Sequence, residues 1–423
     1  MTRAAVLLAA AGAIGALGAS GCGGGAVAGS GRPGDAGSRE ADASPADGAV
    51  GGADAHGDDA PTGDDAAAPI DAHGEAPVEA EASGPPARLV GFASGYGPGI
   101  QWLSVDTATG AITPAGEVTS FGTAPSFLAV DAASKHLYAV DENTPGQVGA
   151  YSIDATTGAL TFQNAVASGG DGPPYVGLDP QGKWVLVANY TSGTVAVLPV
   201  KADGSLGAAV HTASPGQLAH MMVADPADHF VFVPCKGSDY VAQYVFDAST
   251  GNLTANQVPT MATAAGAGPR HLAFHPNGTI AYLVNETDST VEELSFDALA
   301  GTLAPIQTAS TLAPGFTGTN TAAEVHVHPS GAWLFVSNRG DDSIATFPLD
   351  ASGRIGTPTF TKSGGATPRD FALDPTGTFL YAANETTGNV VAFRFDAASG
   401  TLTPSGSTVT AAMASFVGLF PLP

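Results

Sequence analysis

A unit of about forty-eight residues recurs along this chain, and that period limits the fold more than any single motif does. Each copy runs as an apolar strand, a turn of Asp/His-Pro-x-Gly type, a second apolar strand ending at Asn or Asp, and a third strand closing on Asp-x-x-x-Gly. Six copies begin PSFLAVD at Pro125, PPYVGLD at Pro173, AHMMVAD at Ala219, PRHLAFH at Pro269, AAEVHVH at Ala322 and PRDFALD at Pro368. Their final residues, Asp131, Asp179, Asp225, His275, His328 and Asp374, are spaced 48, 46, 50, 53 and 46 apart. A fixed period of ~40–50 residues with several short strands per unit predicts a β-propeller, an all-β fold.

Two fragments remain outside the six copies. Residues 87–113 supply the later strands of a blade without its first, and ASFVGLF (414–420) has the pattern of a first strand with nothing after it. Joined, they predict a seventh blade whose inner strand comes from the C-terminal end. Such closure removes exposed sheet edges. The expected domain is therefore 87–423, a seven-bladed β-propeller.

The residues before it have a different character. Met1–Gly21 carries one basic residue, Arg3, then the apolar run AAVLLAAAGAIGALGA, and reads as a secretory signal. Ala-Ser-Gly-Cys at the end of the apolar run resembles a bacterial lipobox, with Cys22 the acylated residue and Ala19 where Leu is usual. Gly23 in place of Asp then points to the outer membrane, with the domain facing the periplasm or the cell surface. Residues 23–86 lack aromatic side chains and carry 13 acidic against 2 basic ones. That composition cannot bury enough apolar area to offset its ordering entropy, so a tether is expected. The only membrane contact expected is the lipid anchor at Cys22.

With a formal charge of −25, phosphate-driven nucleic-acid binding is excluded as a reading. Cys235 is the one cysteine left in the domain, so no intramolecular disulfide is available, and it reads as a small buried hydrophobe. A monomer is expected.

Comparing the copies separates architecture from chemistry. The DPQGK, HPNGT, HPSGA and DPTGT turns, and the DATTGAL, DASTGNL, DALAGTL and DAASGTL turns, recur in most units and are structural. Two other columns vary. The second position of each unit reads Ser126, Pro174, His220, Arg270, Ala323, Arg369 and Ser415; the position after the second strand reads Glu142, Tyr190, Lys236, Glu286, Arg339 and Glu385. In a propeller, equivalent positions ring the central channel, which places Arg270 and Glu286 in one blade between His220 and Arg339. The domain has six arginines, and three of them (Arg270, Arg339, Arg369) stand in these columns. Arg offers a planar fork suited to a carboxylate, phosphate or oxyanion, while Glu and His can exchange protons. His326 and His328 alternate on one strand as an H-x-H pair, a pattern that can bind metal. His328 however stands in the turn column, so a capping role is expected there and no metal site is assigned.

The stretches PSFLAVD, VLVANYTSGTVAV, PRHLAFHPNGTIAYLVNE and GFTGTNTAAEVHVHPSGAWLFVSNRGDDSIATF resemble the seven-bladed lactonase family, which is similar to bacterial 6-phosphogluconolactonase and fungal carboxymuconate cyclases. The resemblance spans essentially all of 87–423. It implies hydrolysis of a sugar-derived or similar anionic lactone in the channel, without a cofactor. By motif it implies a site of His220, Arg270, Glu286 and Arg339. On such a site Glu286, with His220, is expected to activate water, and Arg270 and Arg339 to stabilise the oxyanion and hold a substrate carboxylate or phosphate. Arg369, from the column comparison, is expected to be an additional anion contact. Where the family commonly has VPDLG this chain has VPCKG, so Cys235 and Lys236 depart from it, as do Pro174 and Tyr175; all are expected near the channel mouth. The alternative is a non-catalytic exported propeller that binds a ligand or protein.

Overall fold

The computed structural model describes residues 88–422; the signal segment, Cys22 and the tether lie outside the described residues. Among the described residues, 28 strands form seven sheets of four antiparallel strands each. Six sheets are sequential, covering 128–167, 175–213, 223–262, 269–310, 321–362 and 368–410, and are numbered here as blades one to six. The seventh pairs Ala414–Pro421 with Leu89–Gly95, followed by Gly99–Val105 and Ile112–Thr119. The expected seven blades and the shared closing blade are both present. No helix among the described residues is long and apolar enough to cross a membrane.

The turn columns have the local causes read from their residues. Asp179 and Asp374 accept the amides of Trp184 and Phe379, and Asp225 accepts those of His229 and Phe230. His275 and His328 do the same through Nδ1, accepting the Asn277 and Ser330 amides at 3.0 Å. His328 is therefore a turn cap, as its column implied. In the second turn column Asp154, Asp247 and Asp297 accept amides two residues on, the Asx geometry that tightens a turn.

Blades hold one another through apolar faces and a few directed bonds. Tyr138 and Tyr282, fully buried at matching positions, donate to the carbonyls of Gly204 and Gly353 in the following blade. Trp184 and Trp333 reach likewise to the Ala248 and Ala397 carbonyls. The closing strand buries Phe416, Val417 and Leu419. Each such side chain contributes ~1.5–3 kcal/mol, so together they approach the ~5–15 kcal/mol net stability of a typical domain. Ending the chain at residue 413 is therefore expected to abolish cooperative unfolding in calorimetry, whereas a retained sharp transition would show that blade seven closes without it.

Candidate active site at the channel mouth

The inner strands are irregular where they meet the channel, and this irregularity aims the site. In blades four and six the pairing register slips between Pro269 and His271 and between Pro368 and Asp370. Arg270 and Arg369 are thus the extra residues of β-bulges, a device that re-aims side chains. Just before the inner strands of several blades lies a residue with positive φ: Gly172 and Gly268 in two of them, but Leu218 (φ 55°) and Thr367 (φ 63°) in two others. Glycine adopts this conformation freely, while a Leu there is held by its surroundings. Leu218 sits two residues before His220.

One cavity of about 180 Å³ at this end is lined by Glu142, Pro174, Tyr190, His220, Lys236, Glu286, Arg339 and Arg369. Every one belongs to the two variable columns. Three of the four core residues expected from the sequence line it. The fourth, Arg270, lies beneath: it is 3% exposed, donates from Nη1 to the Ala323 carbonyl at 2.5 Å, and holds Nε 3.4 Å from Glu286 Oε2. That contact is within ion-pair range but not aligned as a hydrogen bond, since Nε has no hydrogen-bond partner. Arg270 therefore meets Glu286 from below.

Glu286 is the hub. Lys236 Nζ lies 2.6 Å from Oε1 and Arg339 Nη2 3.2 Å from the same oxygen. Burial would raise its carboxyl, but Arg339, Arg270 and Lys236 outweigh burial and hold it at about 2. His220 is 4% exposed; burial, then the cations led by Arg270, keep it well below the ordinary histidine value, so it is a neutral imidazole at pH 7. Its Nδ1 is buried without a partner. Burial followed by Arg339 and Arg369 brings Arg270 down to about 10, still a cation at neutral pH.

Sequence reasoning passed over two members. Glu142 accepts Ser126 Oγ at 2.5 Å and the Tyr96 hydroxyl at 3.0 Å, and burial raises its carboxyl against those bonds and Arg369. It shares a column with Glu286, which was the available signal. Lys236, read as a departure, joins the charge cluster and also reaches the Tyr190 hydroxyl at 3.4 Å. Arg369 pairs with Glu385 at 3.5 Å and lies over the Tyr96 ring, 5.2 Å from its centroid. The expectation that the other departures sit at this mouth holds for Pro174 alone. Tyr175 lines the opposite end of the channel, and Cys235 is fully buried, its thiol pushed up to about 12 by burial. Their side chains alternate to the other face of the strand from Pro174 and Lys236.

The cavity thus sets three cations, Lys236, Arg339 and Arg369, around two carboxylates, with Arg270 behind. In a protein of charge −25 this is a local positive site, focused by low-dielectric walls. A neighbouring open cleft of about 520 Å³ carries Thr191, Ser192, Gln217, Ser238 and Tyr240 and no carboxylate or basic group. The charged and proton-exchanging groups are gathered in the smaller space.

A propeller with a cationic, carboxylate-centred channel mouth defines the class. Residues 88–419 match the family described as Lactonase, 7-bladed beta-propeller, and the chain belongs to that family. The 6-phosphogluconolactonase of Pectobacterium carotovorum is 36% identical over 193 residues, covering 46% of this chain and 58% of that protein. The 6-phosphogluconolactonase of Yersinia pestis is 32% identical over 195 residues, with the same coverage of 46% and 58%. The chain thus spans little more than half the length of these relatives. The solved periplasmic gluconolactonase of Pseudomonas aeruginosa superposes with a TM-score of 0.74 at 30% identity, covering 79% of this chain and all of that one.

Proposed function

We propose that this protein hydrolyses an anionic, sugar-derived lactone at the mouth of its channel. The observation that carries this reading is the clamp on Glu286, a carboxylate gripped by Lys236 at 2.6 Å and Arg339 at 3.2 Å with Arg270 behind. A substrate carboxylate or phosphate competes for those donors and for Arg369, whose planar forks suit such groups. Glu286 then loses counterions and regains basicity. With neutral His220 it orients and deprotonates a water that adds to the ring carbonyl. Lys236 and Arg339 stabilise the oxyanion, and collapse of the adduct breaks the ring C–O bond, giving a hydroxy acid once the alkoxide takes a proton. Arg270 positions Glu286 from below. The hydroxyl-rich cleft beside the mouth suits the rest of a polyol chain. The signal-like residues 1–21 and the periplasmic relative support export, with Cys22 as the proposed lipid attachment.

The test is hydrolysis of phosphorylated, carboxylated and neutral sugar lactones by the purified protein, corrected for spontaneous opening. Acceleration is expected, greatest for anionic lactones; a rate equal to buffer for all of them would favour the ligand-binding alternative.

The pH profile follows from the same environment. Glu286 and His220 both have lowered pKa values in the free protein, so both stay unprotonated as pH falls through the ordinary histidine range. The profile of kcat/KM reports free-enzyme groups, and it is expected to stay level from about pH 8 to below 6. A fall centred near the ordinary histidine value, abolished in His220→Gln, would show that His220 titrates normally and contradict the buried, cation-flanked setting.

A further inference from the structure

The opposite end of the channel opens into a funnel of about 680 Å³, walled by Phe127, Met221, Phe274, Phe416 and Phe420. Against this apolar wall stands a polar trio that lines none of the lactone-mouth cavity and meets its residues through Arg270, which lies between Glu286 and Glu324. Glu324 and His326 come from the inner strand of blade five, Thr321–Val327, and Asp370 from that of blade six, Pro368–Leu373. One donor atom from each lies within 4.8 Å of the others, and His326 Nε2 is 3.9 Å from Glu324 Oε1.

The two carboxylates are buried, Glu324 at 5% exposure and Asp370 at 3%. Their charge is unevenly answered. Glu324 Oε2 meets His271 Nδ1 at 2.7 Å and Arg270 Nη1 at 3.8 Å, while Oε1 accepts the Val325 amide at 3.1 Å. Asp370 Oδ2 accepts the Val417 amide at 2.8 Å, and Asp370 makes no ion pair among the described residues. A carboxylate so deeply buried without a counterion is costly. Both carboxylates and the half-buried His326 line the funnel, which is an approach path for a cation and leaves room for water to complete its shell.

We propose that Glu324, His326 and Asp370 form a divalent-cation site at the far end of the channel from the lactone mouth. One imidazole with two carboxylates favours a first-row transition ion over calcium or magnesium. His271, 1% exposed and bonded to Glu324, steadies that ligand as outer-shell partners do. The H-x-H pair is thereby divided: His328 caps its turn, and His326 finds its partners on its own strand and the next blade.

Co²⁺ added to the full chain and followed by calorimetry and visible absorption tests the site. One saturable equivalent is expected. Asp370→Asn, which keeps an acceptor for the Val417 amide, and His326→Ala, at a half-buried funnel position, are each expected to weaken binding at least about tenfold. Glu286→Gln is expected to leave it intact, which separates this site from cation binding at the other mouth. Absence of saturable binding, or binding equal to wild type in both Asp370→Asn and His326→Ala with unchanged melting, would overturn the proposal.

Discussion

Replacing Glu286 with Gln is expected to lower kcat for lactone hydrolysis by about two to four orders of magnitude. Gln matches the carboxylate in shape, so the loss isolates charge and proton acceptance. Lys236 and Arg339 lose the negative charge they share at 2.6 and 3.2 Å, yet both still line the cavity and still attract an anion. Substrate affinity should therefore hold or rise while turnover collapses. Steady-state kinetics with separate kcat and KM check this. A rise in KM at constant kcat would mean that Glu286 only arranges the cations, and would remove it as the base.

Arg339→Met is the second large effect, with an expected loss of about 10²–10³ in kcat/KM. Met keeps most of the length and volume, so the packing beside Asn338 and Ala322 survives, although the bond from Nη2 to the Ala322 carbonyl at 3.1 Å is lost. Arg339 is the strongest of the cations lowering Glu286, so its removal also lets that carboxyl rise. An acid limb should then enter the pH profile from below, a readout that lost packing alone would not produce. Arg339→Lys distinguishes charge from geometry: partial recovery points to simple oxyanion attraction, and none to a forked contact with a planar anionic group. Wild-type kinetics in Arg339→Met would exclude it from the site.

Much of this site was legible because a propeller converts sequence period into angular position. His220, Glu286, Arg339 and Arg369 stood apart in two columns, and the structure gathers those columns around one cavity. The closing blade was legible for a similar reason, since 87–113 and 414–420 were complementary fragments of one unit. Depth along the channel was not legible. Column membership cannot say that the bulge at Arg270 drops its guanidinium beneath Glu286 while that at Arg369 leaves its own on the cavity wall. Nor can it pair Glu324 with Asp370, because neighbours across blades depend on twist and bulge register. Lys236 was visible as an unusual residue, but its charge acquires meaning only at 2.6 Å from a carboxylate.

The most direct measurement is the disappearance of a phosphorylated sugar lactone, followed with wild-type protein, Glu286→Gln and buffer alone in parallel. Wild-type protein should open the lactone well above the spontaneous rate, and Glu286→Gln should fall back toward that rate while remaining folded by calorimetry. Equal rates in all three, or full activity in folded Glu286→Gln, would contradict a lactone hydrolase centred on that carboxylate.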